Sequence, residues 1–189
     1  TFGSGTHIDV ESFGSSFGVS QTTVISGDLT TVFTGNARID VRHTGVLFLG
    51  PTAISQRTPN GFASTILGTG VHITSSGNSI AQGVFQLSTD NRFILGENST
   101  ISVVAEGDAF GLSQRDPSLP TTSNAVLQAN SRISVIAGDD AIGIQVDGTA
   151  GSSSLTLERG AEVFTTGATA IAVDITANNY KMLNSGRII

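Results

Sequence analysis

The tripeptide Ser-Gln-Arg occurs twice in the sequence, and its side chains are well suited to bind a ligand. It spans residues 55–57 and 113–115, and in each case a proline follows two residues after the arginine. Both strings are predicted to be exposed loops on the same side of a rigid scaffold, where binding sites are frequent. Arginine donates hydrogen bonds to acidic groups and to sugar hydroxyls. Duplication of the repeat without a binding role is the alternative. The predicted binding residues are Gln56, Arg57, Gln114 and Arg115.

A group of acidic residues forms a second candidate site. Asp108 and Asp140 occupy equivalent places in neighbouring repeats, with Glu106 and Asp139 close in sequence. Carboxylate oxygens are ligands for calcium, and paired acids also serve hydrolases and lyases. The acids lie just after turn glycines, where aspartate is common for structural reasons. The candidate calcium ligands are Asp108, Asp139 and Asp140, and no catalytic residue is predicted.

A seven-residue motif that recurs seven times defines the scaffold for these residues. Successive copies are about thirty residues apart, a period typical of stacked repeat proteins. Each copy closes on a β-branched residue, at Ile8, Ile39, Ile73, Ile101, Ile133, Val163 and Ile188. Three residues earlier stand Gly5, Asn36, Gly70, Asn98, Asn130, Gly160 and Ser185.

Glycine and asparagine at this earlier position indicate a tight bend, because both tolerate left-handed backbone conformations. We therefore interpret Asn36, Asn98 and Asn130 as structural turn residues that stabilise the bend through local side-chain hydrogen bonds. Beyond each bend, apolar and polar residues alternate, as in residues 132–135. This alternation predicts a half-buried strand.

A second apolar row follows ten or eleven residues after each closing residue. It consists of Val19, Leu49, Val84, Leu112, Ile144 and Val173. Beyond it the spacing to the next motif varies, and all four prolines fall in the two longest insertions. Variation confined to one part of each repeat predicts loops on one side of the fold.

These patterns predict one all-β domain over residues 1–189 that contains essentially no helix. The expected fold is a right-handed, three-sided parallel β-solenoid of about six turns, each of roughly 30 residues. A sandwich is disfavoured, because its strands come at shorter intervals and are joined by hairpin turns.

The residue before each closing residue should face outward, and this row is rich in basic side chains. It consists of His7, Arg38, His72, Thr100, Arg132, Glu162 and Arg187. Contact with a glycan or polyanion is one interpretation. Cross-strand charge pairing with Asp9 and Asp40 on a solvated face is the plainer one.

Composition narrows the classes of partner. The formal net charge is −6 and the sequence pI about 4.8, which argues against nucleic acid and anionic membranes as partners. The sequence has no cysteine, so disulfides, zinc ribbons and thiol catalysis are excluded. No apolar stretch approaches the roughly 20 residues that span a bilayer. We predict no cofactor and no membrane insertion by this segment.

Units such as LNSGRII and AGDDAIGIQVDG, joined by strands rich in serine and threonine, resemble the passenger repeats of bacterial autotransporters and related surface adhesins. The resemblance extends from Phe2 to Ile189. It implies export through the periplasm, a β-helical stalk, and a place outside the cell, secreted or on the bacterial outer surface. It also implies contacts with a host receptor, a glycan or another cell. It carries over no catalytic residue, so the chain is not expected to be an enzyme.

Neither end of the sequence shows an atypical capping repeat, and two explanations follow. The chain is expected to be a segment of a longer repeat array, or else a subunit that self-associates through its solenoid ends or sides. Stacking of ends would build an extracellular fibre through contacts that do not close on themselves. A third class of function is a polysaccharide-active enzyme on a β-solenoid, and beyond the fold itself only the cluster of acidic residues favours it.

Overall fold

The chain is built from β-strands that run parallel to one another in successive turns. The computed structural model describes residues 1–13, 15–24, 26–45, 50–115 and 121–189, with backbone alone at 148–150. The described residues contain no helix, and so none long and apolar enough to cross a membrane. Their strands are β1 His7–Ser12, β2 Phe17–Thr22, β3 Leu29–Phe33, β4 Arg38–His43, β5 Thr52–Leu67, β6 His72–Gly77, β7 Ile80–Leu95, β8 Thr100–Ala105, β9 Asp108–Arg115, β10 Thr122–Leu127, β11 Arg132–Ala137, β12 Asp140–Leu157, β13 Glu162–Thr166, β14 Thr169–Asn184 and β15 Arg187–Ile188.

Two parallel sheets stack these strands into a β-solenoid of about five turns, which confirms the predicted all-β parallel solenoid. The first sheet has the order β1-β4-β6-β8-β11-β13-β15. Its register aligns all seven predicted closing residues, from Ile8 opposite Ile39 to Val163 opposite Ile188. The strand β15 contains only two residues, so fewer full turns form than the six predicted.

The second sheet bends within its longest strands. Its order is β10-β12-β9-β7-β5-β2, with β3 paired to β5 and β14 to β12. The first half of β5 pairs with β2 and its second half with β3. Its register with β7 shifts between Thr58 and Phe62, and a similar shift separates Gly148 from Ser152 in β12. Each long strand therefore contributes two arms to the wall of the solenoid.

The structure corrects one member of the second apolar row. Ile54 pairs with Val19 in the preceding turn and with Val84 in the following turn, and it is fully buried. Leu49, which the spacing predicts for this turn, lies outside the described residues. The fixed spacing fails here because residues 44–51 lie between β4 and β5 as an insertion.

Aligned rows of aliphatic side chains fill the interior, with one residue from each turn. Ile73, Ile101 and Ile133 are adjacent in the row of closing residues and are at most 1% exposed. A parallel row from the second sheet consists of Phe33, Leu67, Leu95, Leu127 and Leu157. Burial of each such side chain contributes roughly 1.5–3 kcal/mol, so these rows are the main source of stability.

Glycines let the two sheets approach closely opposite the isoleucine row. A Cβ atom at Gly83 would lie 2.6 Å from Cγ2 of Ile101 and 2.5 Å from the carbonyl oxygen of Gly111. Both distances are far below van der Waals contact. Ile101 therefore packs against the backbone of β7, where no side chain could fit.

The predicted bends are confirmed at six of the seven positions. Asn36, Asn98 and Asn130 have φ angles of 46°, 55° and 56°, and the glycines at positions 5, 70 and 160 are also left-handed. The backbone N–H of Asn98 donates to the carbonyl of Ala129 in the next turn at 3.1 Å. Ser185 is not among the described residues with positive φ. The asparagines are thus conformational turn residues, whereas their local side-chain hydrogen bonds stay a prediction.

Candidate functional site

The two Ser-Gln-Arg strings lie in strands and not in loops, so the predicted loop placement is wrong. Residues 55–57 belong to β5, which continues through Thr58 and Pro59, and residues 113–115 end β9. Asp116 and Pro117 lie outside the described residues. Because side chains alternate along a strand, the glutamines point into the solenoid and the arginines point outward.

The predicted binding role of Gln56 and Gln114 is wrong, because their side chains are 0% and 1% exposed. They belong instead to a ladder of four glutamines, one from each of four consecutive turns. Nε2 of Gln56 donates to Oε1 of Gln21 at 2.9 Å. Nε2 of Gln86 donates to Oε1 of Gln56, and Nε2 of Gln114 donates to Oε1 of Gln86, both at 2.8 Å. All three bonds point in the same direction along the axis.

The glutamine ladder also joins the two arms of the second sheet. Nε2 of Gln56 donates to the carbonyl of Ser64 at 3.0 Å, and Nε2 of Gln86 donates to the carbonyl of Arg92 at 3.0 Å. Oγ1 of Thr65 donates to Oε1 of Gln56 at 2.9 Å. These bonds satisfy polar groups at the buried corner of the long strands, where an unpaired group would be costly.

The ladder stops abruptly at Gln114. Its Oε1 atom is buried and has no hydrogen-bond partner among the described residues. The residue paired with Gln114 in the next turn is Val146, which is 4% exposed, followed by Ile175. The side chain at this interior position is therefore an amide in four turns and an aliphatic group in the next two.

The sequence contains a pattern that indicates the ladder, and this pattern is independent of the Ser-Gln-Arg tripeptide. Each ladder glutamine stands two residues after a member of the second apolar row, as Gln86 does after Val84. Gln21 and Gln86 were not predicted as site residues, since neither precedes an arginine. An amide that repeats at the inward position of a strand indicates an interior stack, because side chains two residues apart share one face.

The two arginines line a single groove on the outside of the second sheet. The guanidinium carbon of Arg57 lies 5.0 Å from the ring centroid of Phe85, and that of Arg115 lies 5.6 Å from the centroid of Phe110. Both distances are within the range of cation–π attraction. The groove has a volume of about 510 Å³, within the range of small-molecule clefts. It is lined by Ser15, Phe17, Gly50, Thr52, Arg57, Ile80, Gln82, Phe85 and Arg115.

Hydrogen bonds position the polar groups around this arginine groove. Nε of Arg115 donates to Oε1 of Gln145 at 3.0 Å. Oγ1 of Thr52 donates to Oε1 of Gln82 at 3.2 Å, which orients the amide on the groove floor. Neither Arg57 nor Arg115 takes part in the ion pairs found among the described residues. The groove thus offers two cations and an amide beside aromatic rings.

The acidic group is brought together only in part. The backbone N–H of Asp140 donates to Oδ1 of Asp108 at 3.3 Å, so these two residues are neighbours across adjacent turns. Glu106, Asp108 and Asp139 line one shallow depression. In the described part of the chain, however, no three His, Cys, Asp or Glu side chains are placed to hold a metal ion. The geometry therefore gives no calcium site at Asp108, Asp139 and Asp140.

The outward basic row forms as predicted, and acidic residues pair with it. Oδ2 of Asp40 accepts a hydrogen bond from Nε of Arg38 and lies 3.3 Å from Nε2 of His7. Further along, Nε of Arg132 lies 3.9 Å from Oε2 of Glu162. The contacts of His7 with Asp40 and of Arg132 with Glu162 are cross-strand charge pairs on a solvated face. Arg38 and Asp40 instead lie two residues apart in the same strand, β4.

The carboxyl group of Asp40 is the acid that this pairing perturbs. Partial burial raises the pKa of Asp40. Hydrogen bonds from Arg38, Thr74 and His7, together with the charge of Arg38, lower it by more, so the net pKa lies below its ordinary value. A carboxyl group with a lowered folded-state pKa stabilises the fold above its unfolded pKa. This contribution is lost as the pH falls through the lowered value.

We expect Asp40→Asn to lower the free energy of unfolding by less than about 1 kcal/mol at pH 7, since solvent screens a surface pair. The difference from the unsubstituted chain should disappear below the folded-state pKa of Asp40, where both side chains are uncharged. Urea unfolding of both proteins between pH 7 and pH 2 measures this. A difference that persists at pH 2 would assign the effect to packing of the side chain.

No family model, curated protein or solved structure matches this chain. Its function is therefore argued from the geometry of the solenoid. Of the predicted binding residues, Arg57 and Arg115 share the arginine groove, whereas Gln56 and Gln114 are interior. The groove is the candidate binding site, and the glutamine ladder is structural.

Proposed function

We propose that the chain is a non-enzymatic structural segment, a β-solenoid stalk at the outer surface of a bacterial cell that presents a side face for adhesive contact. The observation that carries this proposal is the unbroken register of the seven-stranded sheet. Repeats that contact only their neighbours extend along one axis, and six strand spacings give a length of about 30 Å. Such an element acts as a stiff spacer.

The surface chemistry supports a place outside the cell. The formal net charge of −6 favours solubility over adsorption to acidic surfaces. A chain without cysteine cannot form disulfides in the periplasm that would obstruct export in an unfolded state. The resemblance of the repeats to autotransporter passengers supports the same assignment.

A second candidate function, a subunit of an extracellular fibre, is favoured by charges at the two ends of the solenoid. His7 contacts Asp40, which lies two positions further along the strand of the next turn. If a second copy of the chain stacked its first turn onto β15, Arg187 and Asp9 would occupy that same diagonal relation. Apolar side chains exposed in the last turn, Ile171 and Ile188 among them, would be covered by the contact.

The cellular location is tested with antibodies raised against the purified chain. Cells that carry its gene should be labelled while intact, and brief protease treatment of intact cells should remove the label. Antibodies against a cytoplasmic protein, which should label only permeabilised cells, provide the control. Labelling that requires permeabilisation would contradict the proposal.

Negative-stain electron microscopy over a concentration series separates the stalk from the fibre. Discrete short rods at every concentration support a stalk segment. Filaments with an axial repeat of about 30 Å support the fibre, and in that case Arg187→Glu should abolish them and Arg187→Glu combined with Asp9→Arg should restore them. Filaments that Arg187→Glu leaves unchanged would contradict stacking through this end contact.

A further inference from the structure

We propose that the arginine groove binds an acidic oligosaccharide that carries a carboxylate or sulfate group on every second sugar ring. Arg57 and Arg115 would contact successive acidic groups, and the aromatic and amide side chains between them would contact the sugar rings. The proposal concerns the side face of the solenoid, so it holds for a stalk segment and for a fibre subunit alike.

The two cations are held in place and remain available to a ligand. Each guanidinium group lies over a phenylalanine ring, and Arg115 is also fixed by Gln145. Arginines held in this way lose less side-chain entropy on binding than free ones. The ion pairs of the described residues use neither arginine, so within the described part of the chain an anionic ligand displaces no paired carboxylate.

The spacing of the arginines selects the ligand. Arg57 and Arg115 occupy the same position in turns separated by one strand, Leu87 standing between them. Their Cα atoms are thus about 10 Å apart along the axis. That is about the length of two linked pyranose rings, so an acid on every second ring reaches both arginines.

An acidic peptide fits the same spacing poorly. Side chains on one face of an extended peptide repeat at about 7 Å, twice the rise of a strand residue. Two neighbouring acids on that face would therefore meet only one arginine in good geometry. The spacing favours the glycan over the peptide.

The remaining lining of the groove suits a sugar ring. Phe17 is 41% exposed and presents an apolar surface at one side of the groove. Oε1 of Gln82 accepts a hydrogen bond from Thr52. The amide N–H groups of Gln82 therefore remain to donate to hydroxyl groups of the sugar. A few oriented polar groups among aromatic side chains are typical of ligand sites.

Calorimetric titration with a hyaluronan octasaccharide, which has one carboxylate on each disaccharide, tests this inference. We expect saturable binding, and no binding of chitin hexasaccharide, which is neutral. Arg57→Gln and Arg115→Gln should each weaken hyaluronan binding by at least tenfold. Arg92→Gln, the same change of charge on an exposed arginine of the other arm, should change it by less than twofold. Circular dichroism of each variant verifies that the solenoid is folded.

Three results would overturn the assignment. The first is an absence of hyaluronan binding by the folded chain. The second is an equal loss of binding in Arg92→Gln, which would indicate a general effect of charge. The third is binding of hexaglutamate as tight as that of hyaluronan, which would identify a peptide site. None of these results alters the expected labelling of intact cells or the particle shape, so the proposed function is judged separately.

Discussion

Replacing Gln86 by leucine should lower the free energy of unfolding by about 3–5 kcal/mol, because the substitution interrupts the glutamine ladder in its middle. Gln86 donates to Gln56 and to the carbonyl of Arg92, and it accepts the bond from Gln114. Leucine fills much of the same volume but leaves the buried amide of Gln114 without an acceptor. Each buried polar group left unpaired costs about 1–3 kcal/mol. Urea unfolding followed by circular dichroism measures the loss.

The matched control is Gln114→Leu, the same change at the end of the ladder. It removes the unpartnered Oε1 of Gln114 and leaves Oε1 of Gln86 unpaired instead, so the number of buried orphan acceptors is unchanged. The next turn already carries Val146 at this position. We expect a change within about 1 kcal/mol.

The double variant makes the test sharper. Adding Gln114→Leu to Gln86→Leu removes the orphaned amide of Gln114, so the second substitution should recover about 1–2 kcal/mol of the first loss. Equal and additive losses at both positions would contradict the ladder as the cause. Recovery would instead show that the cost of Gln86→Leu lies in what it leaves unpaired.

The sequence was sufficient to predict the turns because each turn repeats the same local requirements. A residue tolerant of positive φ, such as Asn98, is followed three residues later by a β-branched residue, Ile101, that must face the interior. Both requirements recur with a fixed offset, so register follows from sequence alone. The offset to the second apolar row failed at Ile54, because eight residues separate β4 from β5, whereas only two separate β6 from β7.

Of the four predicted binding residues, only the two arginines lie on the surface, and the chemistry of glutamine explains why the other two do not. Polar residues next to proline indicate a loop, and Gln56, followed by Arg57 and Pro59, fits that pattern. A glutamine can nevertheless be buried when identical amides stack above and below it at strand spacing, since each then donates to the next. That satisfaction depends on Gln21 and Gln86, which are distant in sequence. Arg57, whose environment is local and outward, was placed correctly as a surface residue.

The interior isoleucine row should show the largest cost of a single aliphatic truncation. We expect Ile101→Ala to lower the free energy of unfolding by about 4 kcal/mol, within the range for buried isoleucine. Ile101 is 0% exposed, and across from it stands Gly83, which has no side chain to move into the space. Backbone pairing with the neighbouring turns also holds β7 and β8 in place. The cavity therefore cannot collapse, and its full cost should appear in urea unfolding.

The matched control is Ile188→Ala, which makes the same change in the same row of closing residues. Ile188 lies in β15 and is 40% exposed, so its truncation should cost less than about 1 kcal/mol when the chain is dilute and unassociated. Similar losses at the two positions would mean that the row does not pack as a continuous core. A small loss at Ile188 that grows as the protein concentration is raised would point to a contact between chains that buries this end. The comparison of Ile101→Ala with Ile188→Ala in dilute solution would still test the packing of the row.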